Sequence, residues 1–368
     1  MGISNDIAGG IKEKEWMKMR VNKKKILGIV LLSVIMATGI AGCGKTDTKS
    51  SSATEETSET VSEQREKVIR IGGPGSEDSA LNMELMNVAY RKGYLKEELK
   101  KAGYQLEFTF FAGGGPSLNE ALVADELDVV TCGDLPAFVG KSNGVDTTLI
   151  ASVNANLQYG IVVADDKIQD AKDLEGKNVI VPEGTSIQYF WENYAAEKGI
   201  DTKKVNIINA VEDAASLLMT GDADAVVSTA YGIQSYVYMG VGRILDTGAG
   251  LENAHSTYVT VAKSSYLKEN PDAAVAINKA LIDAYQAVTK DADVLYESSA
   301  GDNLPATEWE KVYAYDTSFS YLNPEITSSE KDYWETFNQW LYEHKLIKEN
   351  IDLDSFIDTS YYETAIAE

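Results

Sequence analysis

Asp128-Val129-Val130-Thr131-Cys132-Gly133-Asp134 returns later in the chain as Asp224-Ala225-Val226-Val227-Ser228-Thr229. Each is a short valine-centred run behind an aspartate, and each follows an apolar helical pair, Ala121-Leu122 in one case and Leu217-Leu218 in the other. The same order of elements precedes both. In the first copy Val68 to Gly72 reads as a strand, Ser76 caps a helix that stops at Lys92-Gly93, and Leu106 to Phe111 is a second strand. Gly113-Gly114-Gly115-Pro116 then opens a helix with proline in its first turn. In the second copy Asn178 to Val181 is a strand, and Gly184-Thr185-Ser186 starts a helix that stops at Lys198-Gly199. Along that helix Ile187, Phe190, Trp191, Tyr194 and Ala195 follow one apolar face. Val205 to Ile208 is the next strand and Ala214 to Thr220 the next helix. Strands alternating with helices predict an α/β fold with parallel pairing. Their recurrence in order predicts two α/β lobes with the same wiring.

Two strand-like links join the lobes, Thr148 to Val163 going out and Thr257 to Lys263 coming back. A chain that crosses twice returns its later part to the first lobe, an arrangement suited to hinge closure over a ligand. The boundaries read as 67–156 for the first part of lobe I, 157–255 for lobe II, and 256–368 for the return to lobe I and the C-terminal helices. From Pro305 the chain is helical and aromatic. Thr327 with Glu330 makes a capping box, and Tyr333, Phe337, Trp340 and Leu341 form a stripe that reads as core rather than ligand cage.

Ahead of the lobes, Lys23 to Lys25 flank an apolar run from Ile26 to Ile40 that ends in Ile40-Ala41-Gly42-Cys43. These are the parts of a secretory signal, and the run is too short to span a membrane. Small residues directly before a cysteine resemble the lipobox of bacterial lipoproteins, which implies that Cys43 is lipidated and becomes the mature N-terminus. Asp6, Glu13 and Glu15 sit awkwardly ahead of a basic segment, so Met19 is the better translation start and 1–18 reads as a misassigned leader. Residues 19–42 are then the signal peptide, and 43–66 the lipidated cysteine with a Ser/Thr/Glu-rich tether. This places the protein on the extracytoplasmic face of a bacterial cell membrane.

Loss of 1–42 removes seven Lys/Arg and three Asp/Glu, taking the net charge from −24 to −28. Nucleic acid and anionic lipid headgroups are poor partners for such a chain. Cys43 and Cys132 are the only cysteines, so a lipidated Cys43 leaves no intramolecular disulfide.

In open α/β sheets ligands bind beyond the carboxyl ends of the strands, where helix N-termini present free N–H groups. That rule selects Gly73 and Ser76, Gly114 and Gly115, Asp134, Thr185 and Ser186, and Ser228 and Thr229. Glycines admit close backbone approach and the hydroxyls add donors. Tyr159 and Tyr231 could stack on a ligand or pack the lobe interface, and Asn154 and Asn156 in the outgoing link are polar contacts or turn residues. Singly, each residue has a duller explanation as a turn, a cap or packing. The collective placement is what marks a site. His255 and His344 are the only histidines, neither lies in a nucleophile motif, and Cys132 sits in a strand run. With no phosphate loop and no Cys/His cluster at metal spacing, we expect no enzyme, no cofactor and no metal.

From Gly113-Gly114-Gly115-Pro116 through Asn119-Glu120-Ala121-Leu122 to Gly133-Asp134-Leu135-Pro136-Ala137, the sequence resembles substrate-binding proteins of nitrate/sulfonate/taurine-type ABC importers. The likeness continues through Asp173-Leu174-Glu175-Gly176-Lys177, Pro182-Glu183-Gly184-Thr185-Ser186 and Gly221-Asp222-Ala223-Asp224-Ala225 to Leu346-Ile347, Asp352-Leu353-Asp354 and Asp358-Thr359-Ser360-Tyr361. The resemblance implies a periplasmic-binding-protein type II fold, a monomer with a small molecule held between two lobes, and delivery to an ABC permease driven by its ATPase subunit. It leaves the ligand among sulfonates, nitrate and heterocycles such as thiamine-precursor pyrimidines. All five arginines, Arg20, Arg65, Arg70, Arg91 and Arg243, lie outside the helix-start loops, which counts against a bidentate carboxylate clamp. An aliphatic, taurine-like sulfonate held by N–H dipoles and hydroxyls fits better. Glu77 and Asp78, in the first loop, would repel an anion and keep the heterocycle as the rival. A ligand-sensing adaptor on the same fold is the alternative to transport.

Overall fold

The repeated aspartate stitches the same junction in two separate sheets. The computed structural model describes residues 67–76, 84–210, 213–249, 251 and 255–368. The signal peptide, Cys43, the tether, Glu77 and Asp78 lie outside the described residues. The first sheet contains β1 (Lys67–Pro74), β2 (Tyr104–Phe111), β3 (Val129–Gly133), β4 (Thr147–Leu157) and β10 (Ser256–Lys263), in the order β2-β1-β3-β10-β4. The second contains β5 (Tyr159–Val163), β6 (Asn178–Ile180), β7 (Asn206–Ile208), β8 (Ala225–Thr229) and β9 (Arg243–Thr247), in the order β7-β6-β8-β5-β9. In both, three parallel strands are followed by a fourth that runs the opposite way and a fifth antiparallel to that fourth.

Asp128 precedes β3. Its carboxylate accepts the Arg70 N–H at 2.9 Å and the Arg70 guanidinium at 3.0 and 2.6 Å. Its own N–H donates to the Arg70 carbonyl at 2.9 Å, and its carbonyl accepts from Lys263 at 2.9 Å. Asp224 precedes β8 and repeats this: its carboxylate accepts the Asn178 N–H at 2.8 Å, its N–H donates to the Asn178 carbonyl at 2.8 Å, and its carbonyl accepts from Ala164 at 3.0 Å. One side chain thus joins the central strand to its parallel neighbour while the backbone ties it to the antiparallel one. The sequence repeat has a hydrogen-bonding cause.

The outgoing link is two strands rather than one. β4 ends at Leu157 in the first sheet and β5 begins at Tyr159 in the second, with Gln158 alone between them. β10 returns to lie between β3 and β4. Each sheet therefore takes its fourth strand from the far side of a crossing.

Helices α1 (Glu84–Arg91), α2 (Tyr94–Lys101), α3 (Gly114–Val123) and α4 (Asp134–Ser142) belong to the first pass of the chain; α5 (Ser186–Glu197), α6 (Ala214–Thr220) and α7 (Ala230–Tyr238) follow in the second. After β10 come α8 (Ser264–Glu269), α9 (Pro271–Lys290), α10 (Asp293–Ser299), α11 (Trp309–Val312), α12 (Ser328–Glu343), α13 (Leu353–Phe356) and α14 (Ser360–Ala367). Ile69 and Ile71 of β1 pack with Leu85 and Val88 of α1 and Ile277 and Leu281 of α9. Val130 and Cys132 of β3 pack with Leu118 of α3, Phe138 of α4 and Trp334 and Phe337 of α12. In α12 the capping box forms as expected: the Thr327 hydroxyl accepts the Glu330 N–H at 3.2 Å and the Glu330 carboxylate accepts the Thr327 N–H at 3.0 Å.

Gly93 stops the first helix as expected, at φ 88°, but it also opens α2, which the sequence reading did not separate. Ser76 is exposed and the described part of α1 begins at Glu84, so the helix start expected after Ser76 lies outside the described residues.

If the repeated aspartates act as the geometry indicates, Asp128→Ala should cost about 2–3 kcal/mol and Asp224→Ala less, because the Asp128 carboxylate takes three donors and that of Asp224 one. Urea unfolding of both variants measures this, and equal losses would contradict it.

Candidate functional site

The strand ends of both sheets converge on a cavity of about 220 Å³. From the first sheet, Pro74 ends β1 and Gly75 follows it, 112–115 run from β2 into α3, and Gly133 and Pro136 lie where β3 becomes α4. From the second, Pro182 and Thr185 lie between β6 and α5, Ser186 and Ile187 open α5, and Thr229 joins β8 to α7. Tyr159 of β5 and Tyr258 of β10 complete the wall. Four helix N-termini therefore face one small volume, each bringing the partial positive charge of a helix start, with the Leu135, Ile187, Ala230 and Gly232 N–H groups already taken within the protein.

Those four ends are built differently. α3 and α4 begin after Gly113 and Gly133 without a side-chain cap. α5 and α7 begin on threonines: the Thr185 hydroxyl accepts the Ile187 N–H at 3.2 Å and donates to the Pro182 carbonyl at 2.8 Å, and the Thr229 hydroxyl accepts the Gly232 N–H at 3.2 Å. Gly133 is required by close approach, since a Cβ there would fall 2.4 Å from the Ser186 hydroxyl. Gly115 is required likewise, 2.4 Å from the Pro136 ring.

Asp134 stands behind this wall. It is fully buried, and its carboxylate accepts five hydrogen bonds: from the Leu135 N–H (2.8 Å), the Ser186 hydroxyl (2.8 Å), the Thr257 N–H (2.8 Å) and hydroxyl (3.1 Å), and the Tyr333 hydroxyl (3.0 Å). Burial pushes the carboxyl up while these donors act to hold it ionised.

Of the residues selected from sequence, Gly114, Gly115, Tyr159, Thr185, Ser186 and Thr229 line the cavity. Gly73 is buried within β1, one residue short of Pro74 and Gly75, which line it instead; Ser76 lies just beyond them. Asp134 is taken up by protein donors. Ser228 turns toward the start of α7, where its hydroxyl would be 1.9 Å from a Cβ at Gly232. Tyr231 stacks on Trp309 at 4.9 Å and 9°, so it packs rather than lines. Asn156 is half-buried and accepts from Gln158 at 2.7 Å.

Asn154 is fully buried in β4, paired with Tyr258 of β10. Beside it lies Glu84, 6% exposed, which sequence reasoning missed because the first residues of α1 carry no motif. Burial pushes the Glu84 carboxyl up to about 8. Tyr258 was missed as well, being one aromatic in a run that reads only as a strand.

The folded protein thus keeps a proton on Glu84 that the unfolded chain releases above about 4.5. Between 4.5 and about 8 the native state binds the extra proton, so this group's contribution to stability falls as pH rises through that window. Thermal unfolding across it should show a shallower decline for Glu84→Gln than for the parent; parallel curves would contradict this.

Residues 82–293 match the NMT1/THI5 like family. No curated protein matches the chain. Among solved structures, SsuA from Methylobacillus flagellatus KT, the periplasmic sulfonate-binding protein of a sulfonate ABC transporter, is similar with a TM-score of 0.67 at 20% identity, over 82% of this chain and 94% of its own. The periplasmic nitrate-binding protein NrtA from Synechocystis PCC 6803 gives 0.64 at 15%, over 82% and 88%. The desulfurization enzyme DszB gives 0.63 at 15%, over 82% and 99%. At these identities the likeness is one of fold, and the two equivalent mixed sheets are those of the periplasmic-binding-protein type II architecture. The chain belongs to the NMT1/THI5-like family.

Proposed function

We propose that this protein is the solute-capturing subunit of an ABC importer, anchored outside the cell membrane through Cys43 and delivering a small molecule to the permease and its ATPase. The observation that carries the reading is the cavity, where strand ends and helix N-termini of both sheets surround one volume. On this reading 67–156 with 256–368 form one lobe and 157–255 the other, closing on the ligand about the two crossings. At about 220 Å³ the cavity is smaller than the ~300–1,000 Å³ typical of drug-sized ligands, so it suits a solute of few atoms.

The ligand we assign is an aliphatic, taurine-like sulfonate, its oxygens taken by the N–H groups that open α3, α4, α5 and α7. A nitrogen heterocycle is the second reading, favoured by the tyrosine rings of Tyr159 and Tyr258 on the wall. DszB shares the fold, so fold alone does not separate capture from turnover. The lining favours capture: its hydroxyls at Thr185, Ser186 and Thr229 already cap helices or bond the protein, and the Cys132 thiol is buried off the wall and pushed up to about 12.

Thermal shift and calorimetry with taurine, alkanesulfonates, nitrate and aminopyrimidines test the reading. A sulfonate should stabilise the protein, and replacing Thr185 and Ser186 by alanine should weaken binding about tenfold, because both hydroxyls hold the start of α5 whose N–H groups take the anion. Unchanged affinity in the double variant would remove these residues from the site, and stabilisation by heterocycles alone would overturn the sulfonate assignment.

A further inference from the structure

Behind Tyr258 the protein buries polar atoms left without a well-formed hydrogen bond, although the Asn154 amide acts on Glu84 and Tyr315 on Tyr321. The Glu84 Oε2 and Asn154 Nδ2 atoms are both buried in this way, as are the hydroxyls of Tyr313 and Tyr321. Such groups cost free energy unless something satisfies them. They form one cluster. Asn154 pairs with Tyr258 across β4 and β10, and the phenols of Tyr258, Tyr313, Tyr315 and Tyr321 are all raised by burial and, in part, by the Glu84 charge. Tyr159 feels the same charge. Tyr159 and Tyr258 also line the cavity, so the cluster adjoins the proposed ligand.

The chemistry of the cluster is one-sided. Its acidic member is Glu84, and burial followed by the Asn154 amide is what shifts it; no lysine or arginine contributes. The other carboxylates that act on these tyrosines are Asp134, at Tyr258 and Tyr159, and Asp316, at Tyr315 and Tyr321. Aromatic faces around a carboxyl attract a cation. We infer that Glu84 and Asn154 recognise a positively charged N–H group at one end of the ligand, with the other end held at the helix starts. An arriving ammonium donates to the Glu84 carboxylate. The Asn154 Nδ2 donates to the same carboxylate, and its Oδ1 stays engaged with the Asn156 N–H at 2.7 Å. Both groups are then satisfied in one event. The ligand class is an amine-bearing acid such as an aminosulfonate, or an amino-heterocycle that binds protonated, rather than a simple anion. This rests on the cavity being the ligand site.

The test uses pairs that differ only in the amino group, with the intact protein in calorimetry: taurine against ethanesulfonate, and 4-amino-2-methylpyrimidine against 2-methylpyrimidine. The amino member of the productive pair should bind more than tenfold tighter, and Glu84→Gln should abolish that preference while binding of the deaminated member persists. The unmodified protein gives a second readout that does not depend on the variant folding. Taurine, already cationic, should release about one proton from Glu84 at pH 7 when heats are compared in buffers of different ionisation enthalpy, whereas a pyrimidine that takes the Glu84 proton should release none. Equal affinity within both pairs, or a preference that survives Glu84→Gln, overturns the inference and leaves the capture function standing. No binding by any of the four overturns both.

Discussion

The Asp134 carboxylate is the constraint on which the arrangement depends. It sits at the end of β3, yet its five donors come from four places: its own helix start, the first turn of α5, the return strand β10, and α12. Trp334 extends the chain by donating to the Thr257 hydroxyl at 2.9 Å. A buried carboxylate is tolerated only when its oxygens are taken up by donors, so all four elements are held in one register. α5 belongs to the second sheet, and its Tyr189 meets Phe337 and Trp340 of α12 edge-on at 4.8 and 4.7 Å. The polar and the aromatic contacts together define how the two sheets face each other, and that spacing sets the cavity.

The double crossing explains why the site has two-sided chemistry. β5 and β10 are the first strands after the outgoing and the returning crossing and each is the fourth strand of its own sheet, and Tyr159 and Tyr258 reach the cavity from them. The parallel strands on either side end in helix N-termini. Uncapped glycine starts come from the first sheet and threonine-capped starts from the second. One wall is rich in N–H donors, and the tyrosine wall has a buried carboxyl behind it.

Much of this was legible in the chain. The repeat around Asp128 and Asp224 is visible because one hydrogen-bonding task recurs at one position, and Gly113 to Gly115, Thr185 and Ser186 are visible because helix starts have local signals. Tertiary facts were not visible. Asp134 and Tyr231 have the right neighbours in sequence for a ligand site, but three-dimensional partners, Thr257 and Tyr333 for one and Trp309 for the other, claim them first. Glu84 gives no signal at all, since a glutamate near a helix start is ordinarily solvated and only the fold buries it. α9 was missed because its buried face is mostly alanine, at Ala273, Ala276, Ala280 and Ala284, which carries little hydrophobic contrast.

The most direct measurement of the central claim is a crystal structure of the protein with its solute bound. Density should lie in the cavity between Gly114, Gly115, Ser186, Thr229 and Tyr258, with the Asp134 hydrogen bonds to Ser186 and Thr257 intact. Density instead in the groove outside α5, beside Trp191, Glu192 and His344, would contradict it.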